Sequence, residues 1–553
     1  MASIVSSPAS SVERPSVVCS APGKVLLAGG YLVLEPPNVG LTVATSAKFH
    51  TIAEWERAPV TPVANTLSTD EPVLTVHVHS PQFGTTNVYE IRPSQRDTTQ
   101  DPLGAIVVSD LSTERGETKR NPYVESSLMY CASVCLLQGH ADTLFPKPVG
   151  ASRDILKLTV QADNSFYSHR DELQKRGWPS NTESLRRLPA FRPLKVVAKT
   201  GLGSSAALVT SFVGGFMSAI GAVDLPQAAT EHERARAVDD LELVHRLAQV
   251  AHVIAQGKVG SGFDVCSACF GSNVYVSYSR NILKGMLDSG DAGVPPLSEV
   301  QSVIIDGKDL WDFQSKPFSL PPGIHMALGD VSAGSSTPSM VRAVRAWRQK
   351  CASQYESGET SHDVGQEVWN KLGNWNKMIE AQIEKLHEFA SHYAAVYNLT
   401  LEVCSKMVGH DWGVDQSRDV DTSHGTDAIA LSDNMKKTLQ SMCTIDNGGT
   451  LHIESSYSIV RSLVRLRNLF LCARRDLKAM GAAAGVPIEP DEQTTLSTRT
   501  MNEVPGVLSC SVPGAGGHDA VVAIVLSEAA LYAVEVFWAQ AGAGKVCMLP
   551  LEA

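Results

Sequence analysis

Positive charge is scarce in this sequence. Lysine and arginine number 47 against 58 aspartates and glutamates, a net charge of −11, and charged residues of both signs make up only 19% of the 553. That balance argues against a general nucleic-acid or anionic-membrane binder, so an anionic ligand must be met by cations gathered at one place. A cysteine framework is also lacking. Eleven cysteines are scattered, and Cys266-x-x-Cys269 has neither a second CxxC nor a close histidine pair. Reduced thiols in a cytosol-like compartment follow, with small buried residues rather than zinc or redox chemistry at that pair. Met1 to Ser16 is serine-rich and has no apolar core of about 7–15 residues, so it reads as a loose tail and not a signal peptide. No Gly-x-x-x-x-Gly-Lys-Ser/Thr loop occurs, which removes the P-loop route to nucleotide chemistry. The longest uncharged stretch, Gly201 to Val223, holds five glycines and four serines and is too weakly apolar for a membrane span. A buried helix suits it better.

What the chain does have is 43% hydrophobic residues, the level of a soluble globular protein, in a length that exceeds one ordinary core. Its most pointed feature is Lys199-Thr200-Gly201-Leu202-Gly203-Ser204-Ser205-Ala206, between the mostly apolar run 194–198 and the uncharged stretch. Glycine admits positive φ and close backbone approach, and successive N–H groups at a helix start form a positive concavity, so this turn reads as a phosphate cradle. Ser204 and Ser205 add hydroxyls that can cap the helix or hold a phosphate-bound metal, and Lys199 adds a cation. Gly201-x-Gly203-x-x-Ala206 also fits the dinucleotide fingerprint. That fingerprint wants an acidic residue about 20 positions on at the end of a second strand, whereas Asp224 follows a continuous helical stretch.

Upstream, Val17 to Ser20 is a short strand entering Ala21-Pro22-Gly23-Lys24, which puts a lone lysine in an apolar neighbourhood. Such a cation is costly unless it snorkels or meets an anion. Leu74 to His79 alternates as a strand, 155–160 is another, and 121–139 is helical. The polar stretches 57–70, 93–122, 169–193 and 409–433 read as loops or insertions. Val238, Leu241, Val244, Leu247, Val250 and Ile254 make a helical face that stops at Gly257, followed by Lys258-Val-Gly-Ser261-Gly-Phe-Asp264. The local spacing leaves Asp264 open between a turn cap and a functional carboxylate. Glycine and proline clusters place the main boundary near residue 320. Beyond it, Arg461 and Arg465 lie four apart on one side of an amphipathic helix, either solvated or aimed at an anion. Pro513-Gly514-Ala515-Gly516-Gly517 is a second glycine-rich loop between strands.

Taken in order, Ala21-Pro-Gly-Lys24, Lys199-x-Gly-Leu-Gly-Ser-Ser205 and Pro513-Gly-Ala-Gly-Gly517 resemble the three motifs of the GHMP small-molecule kinases. Within that superfamily the chain looks most like the fungal-type phosphomevalonate kinases, through Gly29-Gly-Tyr-Leu-Val-Leu34, Asp163-Asn-Ser-Phe-Tyr-Ser168, Gly260-Ser-Gly-Phe-Asp264, Asp330-Val-Ser-Ala-Gly-Ser335 and Ile488-Glu-Pro490. The resemblance spans about residues 17 to 545. It implies an α+β fold of two lobes: a ribosomal-S5-like lobe at 17–320 carrying the ATP cradle, and a ferredoxin-like lobe at 321–553, with 1–16 a disordered tail. It implies transfer of the ATP γ-phosphoryl to (R)-5-phosphomevalonate on the mevalonate route to isoprenoids and sterols, with Mg2+ as cofactor. The enzyme would be cytoplasmic, a monomer or weak dimer, without nucleic-acid or membrane partners.

By that resemblance Asp264 polarises or deprotonates the acceptor phosphate and Lys24 neutralises developing charge. Lys199, Gly201, Leu202, Gly203, Ser204, Ser205 and Ala206 would bind ATP, with Ser205 also the metal candidate. Lys258, Ser261, Arg461, Arg465, Gly514, Ala515, Gly516 and Gly517 would bind the acceptor. Two departures stand out. His518 occupies the place where the family usually has tyrosine, and Ala251 to Gln256 lacks the glutamate that helps hold metal in mevalonate kinases. Mevalonate and homoserine kinases, or a non-catalytic sensor of the same fold, are the rival readings.

Overall fold

The computed structural model describes residues 14–59, 72–94, 103–150, 152–194, 197–225, 231–290, 294–331, 337–412, 436–437, 439–440, 450–541 and 546–551. The first sheet comprises β1 (Val17–Ala28), β2 (Val39–Pro59), β3 (Leu74–Ser80), β4 (Thr85–Ser94), β5 (Ala105–Asp110), β6 (Ser152–Ala162), β7 (Asn273–Val276) and β8 (Gln314–Pro317). Its order is β5-β4-β3-β6-β2-β7-β8, with β1 paired to β2. The second sheet comprises β9 (His325–Asp330), β10 (Val507–Ser511), β11 (Ala520–Val525) and β12 (Cys547–Met548), in the order β10-β11-β9-β12. With helices between β9 and β10 and between β11 and β12, this is the βαββαβ arrangement of a ferredoxin-like sheet.

Pro22 and Gly23 do not end β1. They shift its register on β2, from Pro22 opposite Lys48 to Lys24 opposite Ala44, so the strand is bulged where the lysine emerges. Against β1 and β2 packs the helix Ser204–Ile220, flanked by the helices Pro122–Leu137 and Glu231–Gln256. Glycine lets that helix sit close: a Cβ on Gly214 would fall 2.5 Å from Cys19 Sγ, and one on Gly215 2.9 Å from Thr51 Cγ2. The uncharged stretch is thus a buried helix, and among the described residues no helix is long and apolar enough to cross a membrane. One continuous apolar core runs from this layer to the helices Val364–His392 and Thr450–Ala484 and to the inner residues of β9 and β11.

Several connecting stretches hold more order than composition suggests. Residues 93–122 include β5, and 169–193 include the short helices Arg170–Arg176 and Thr182–Arg186. The apolar run 194–198 forms no strand among its described residues; beside it, Lys199 makes a single bridge to Tyr167. In 57–70, β2 continues to Pro59 and the rest lies outside the described residues, as do 413–433 of the later polar excursion.

Candidate active site

The bulge in β1 and the cradle are joined directly. The Lys24 N–H donates to Leu202 O at 2.9 Å, and Lys24 Nζ donates to Gly201 O at 3.3 Å. Gly201 and Gly203 have φ of +82° and +74°, which only glycine adopts readily, and Gly203 caps the helix that begins at Ser204. Ala207 is the first amide to bond into that helix, to Gly203 O at 3.2 Å. Among the described residues no partner is found for the amides of Gly201 to Ala206. A row of unengaged N–H groups at a helix start favours a phosphate oxyanion.

Ser205 Oγ lies 3.0 Å from His252 Nε2, to which the Gln256 Nε2 amide also donates at 2.8 Å. Burial, opposed by Asp264, pushes the His252 pKa down and keeps the ring neutral. The His252 contact holds the Ser205 hydroxyl at the cradle, and in either hydrogen-bonding role its oxygen keeps a lone pair for a ligand.

Asp264 sits in the first turn of the helix Phe263–Phe270, whose cap Gly262 is left-handed at φ +79°. The turn before it is tied down carbonyl by carbonyl. Arg280 donates to Val259 O, Tyr275 and Ser277 hydroxyls to Ser261 O at 2.8 and 2.9 Å, and Gln249 to Gly262 O at 2.8 Å. A Cβ on Gly262 would lie 2.6 Å from Tyr278 Cε1, so the turn is packed as well as bonded. The Asp264 carboxylate is thereby fixed, and its field acts on both Lys24 and Lys258. Burial pulls the Lys24 pKa down and Asp264 opposes that shift. Lys24 Nζ also rests 5.2 Å over the Phe263 ring.

The third loop, between β10 and β11, closes the site from the side of the second sheet. Tyr31 donates its hydroxyl to Ala515 O at 2.7 Å, and the Gly514 N–H donates to Leu26 O at 3.1 Å. The amides of Gly516 and Gly517 are also committed, to Pro513 O and Ile488 O. The loop therefore shapes a wall and offers few N–H donors of its own.

These parts enclose a cavity of about 910 Å³, lined by Lys24, Gly201, Ser205, His252, Lys258, Ser261, Asp264, Gly514, Ala515 and Gly516 of the regions singled out in the sequence. Gly517, Leu202, Gly203, Ser204 and Ala206 neighbour these residues in the chain without lining the cavity themselves. Three other residues singled out in the sequence lie outside this lining. Lys199 is exposed and bridged to Tyr167, outside the lining, because its strand-like pairing turns it away from the glycines beside it. Arg461 and Arg465 are also outside the lining, on a helix packed against Val364–His392, Ala394–Cys404 and β10.

Among the described residues, the cations that line the cavity with Lys24 and Lys258 are Arg280, Arg342 and Arg345, five in all against the carboxylates of Asp264 and Asp519. In an acidic chain this is the local gathering that an anionic ligand requires. Arg342 and Arg345 were legible as an i, i+3 pair on the helix after β9, Thr337–Glu356, a spacing the sequence reading passed over.

No family model matches the chain. It is 34% identical to the peroxisomal phosphomevalonate kinase of Arabidopsis thaliana, over 93% of this chain and 90% of that one. It is 30% identical to a phosphomevalonate kinase of Aspergillus fumigatus, over 92% and 86%. Among solved structures, a Lin0012 protein of Listeria innocua superposes with a TM-score of 0.55 at 14% identity, covering 97% of this chain and 98% of that one, a likeness of fold. With such identity over nearly its whole length, the chain belongs to the phosphomevalonate kinase family.

Proposed function

We propose that the chain carries out the reaction of its family, moving the γ-phosphoryl of ATP onto the phosphate of (R)-5-phosphomevalonate to give the diphosphate and ADP. The observation that carries this is the meeting, in one cavity, of unengaged cradle amides, Lys24 and Asp264. Phosphoryl transfer is mainly positioning and charge neutralisation, so these parts suffice for the chain's share. The cradle orients the nucleotide phosphates. An oxygen of the acceptor phosphate forms the new P–O bond as the bond from the γ-phosphorus to the bridging oxygen breaks, and ADP leaves with the electron pair. A phosphomonoester has a second pKa near 6, so at neutral pH the acceptor is largely a dianion. Asp264 takes the proton from the remaining monoanion and orients the attacking oxygen. Lys24 and Lys258, both within the field of Asp264, offset the repulsion between carboxylate, nucleophile and γ-phosphate.

Magnesium fits this donor set. Among the described residues no group of three or more His, Cys, Asp or Glu could hold a metal alone, so the phosphates would supply most ligands and the Ser205 oxygen one more. Held there, the ion would supply positive charge against the nucleotide phosphates.

The described cysteines are all free thiols, which supports a reducing, cytoplasmic setting; the Arabidopsis relative is named peroxisomal, so fractionation of the native protein decides the compartment. The activity is tested by offering the purified chain phosphomevalonate, mevalonate and homoserine with Mg-ATP. Preference for phosphomevalonate supports the reading, and preference for either alcohol overturns it.

A further inference from the structure

Four of the five cavity cations cluster on one wall. On the helix Thr337–Glu356, Pro338, Val341, Arg342 and Arg345 all line the cavity, the i, i+3, i+4, i+7 stripe of a single helical face. That face is held in place by the next residue along it. Arg348 donates to Glu35 Oε2 at 2.8 Å and lies 3.8 Å over the Trp369 ring, tying the helix to the connection between β1 and β2. From the first lobe come Lys258 and Arg280, the latter anchored on Val259 O. Among the described residues none of Lys258, Arg280, Arg342 and Arg345 forms an ion pair. They crowd one another instead. Burial and then Arg342 lower the Lys258 pKa, and burial and then Arg345 lower that of Arg280, with Glu35 opposing. Like charges held together on a cavity wall are costly until an anion joins them.

The acceptor has two anionic ends. Its phosphate is the nucleophile and must lie by Asp264, whose field reaches Lys24 and Lys258. Its carboxylate is at the opposite end of the carbon chain. Guanidinium forks match a carboxylate two bonds at a time, which a lysine ammonium cannot do. We infer that Arg280, Arg342 and Arg345, contributed by both lobes, form the subsite for the acceptor's carboxylate, while Lys24 and Lys258 attend its phosphate. The inference rests on the phosphomevalonate reading above.

The experiment compares phosphomevalonate with its primary carboxamide as acceptors for the wild-type chain, Arg342→Ala and Arg345→Ala. Arg499→Ala, whose arginine pairs with Glu503 on the surface, controls for the change of net charge. In the wild type the acid should have a KM at least about tenfold below the amide. In one or both cavity variants the acid's KM should rise by about that factor, the amide's should hardly move, and the ATP KM should stay as it was. Preference for acid over amide would then shrink toward unity. Undiminished preference in both variants overturns the assignment. So does a parallel rise for acid and amide, which would place the arginines at the phosphate end. A wild-type chain that ignores phosphomevalonate sinks the functional reading instead, so the two failures are distinguishable.

Discussion

A Cβ built on Gly203 would lie 2.9 Å from Lys24 Cε, so the glycine of the second motif and the lysine of the first depend on each other's geometry. At φ +74° any side chain at Gly203 is also strained. Gly203→Val should therefore lower both ATP affinity and kcat, by displacing the lysine as well as blocking the cradle. Gly201→Ala meets nothing within 4 Å and should cost about 1 kcal/mol of stability through φ alone, with a milder kinetic effect. Calorimetric ATP titration beside steady-state kinetics separates the two. Equal losses in both variants would refute the dependence of Lys24 on Gly203.

Asp264→Asn keeps the volume of a side chain whose Oδ1 accepts from the Val265 amide at 3.0 Å. The fold and ATP binding should survive while kcat falls by at least about a hundredfold, the range of a lost acid–base group. A mere turn cap would behave differently. It would cost about 1 kcal/mol of stability and leave turnover alone.

Ser205→Ala removes the hydroxyl that meets His252 and retains the backbone amides. The magnesium concentration for half-maximal activity should rise several-fold, with nucleotide affinity in EDTA little changed. An unaltered magnesium curve would remove Ser205 from the metal's ligands.

His245 is buried among Phe270, Trp311 and Phe313, at ring-centroid distances of 5.0, 6.3 and 4.5 Å, and its Nε2 accepts from Gln249 at 3.0 Å. Burial, then the Arg246 charge, brings its pKa down to about 3. His169 is brought down to about 4 by burial and then Arg192. Both folded values lie below the unfolded value of about 6.5, so the unfolded chain takes the proton first. Their contribution to stability is complete above that pH and is lost as pH falls toward 4 and 3, at up to about 1.4 kcal/mol per pH unit for each histidine. His245→Phe should flatten the acid limb by about one proton, read from urea midpoints between pH 7 and 4.5. An acid limb as steep as the wild type's would contradict the neutral, buried ring.

The motif residues were legible because their chemistry is local: positive φ at Gly201 and Gly203, a bulge at Pro22 and Gly23, a carboxylate after a Gly-Ser-Gly turn. What spacing cannot give is direction. Arg461 with Arg465 and Arg342 with Arg345 are both pairs on one helical face, yet only the second pair lines the cavity, since packing against other helices decides where a face points. Arg461→Ala and Arg465→Ala should accordingly keep the wild-type acceptor KM. The third loop was legible as a glycine-rich loop between strands, but the commitment of its amides to Leu26, Pro513 and Ile488 depends on partners distant in sequence or on loop geometry. Nothing local in the sequence singles out His252; only the fold sets it against Ser205.

Whether this cavity joins a nucleotide's γ-phosphoryl to a phosphate is read directly by 31P NMR of the purified chain with Mg-ATP and (R)-5-phosphomevalonate. The phosphomonoester signal should be replaced by the coupled pair of a diphosphate ester as ADP appears in equal amount, and Asp264→Asn should nearly stop the change. ATP consumed with the monoester signal intact, or a new monoester formed from mevalonate in preference, would contradict that transfer.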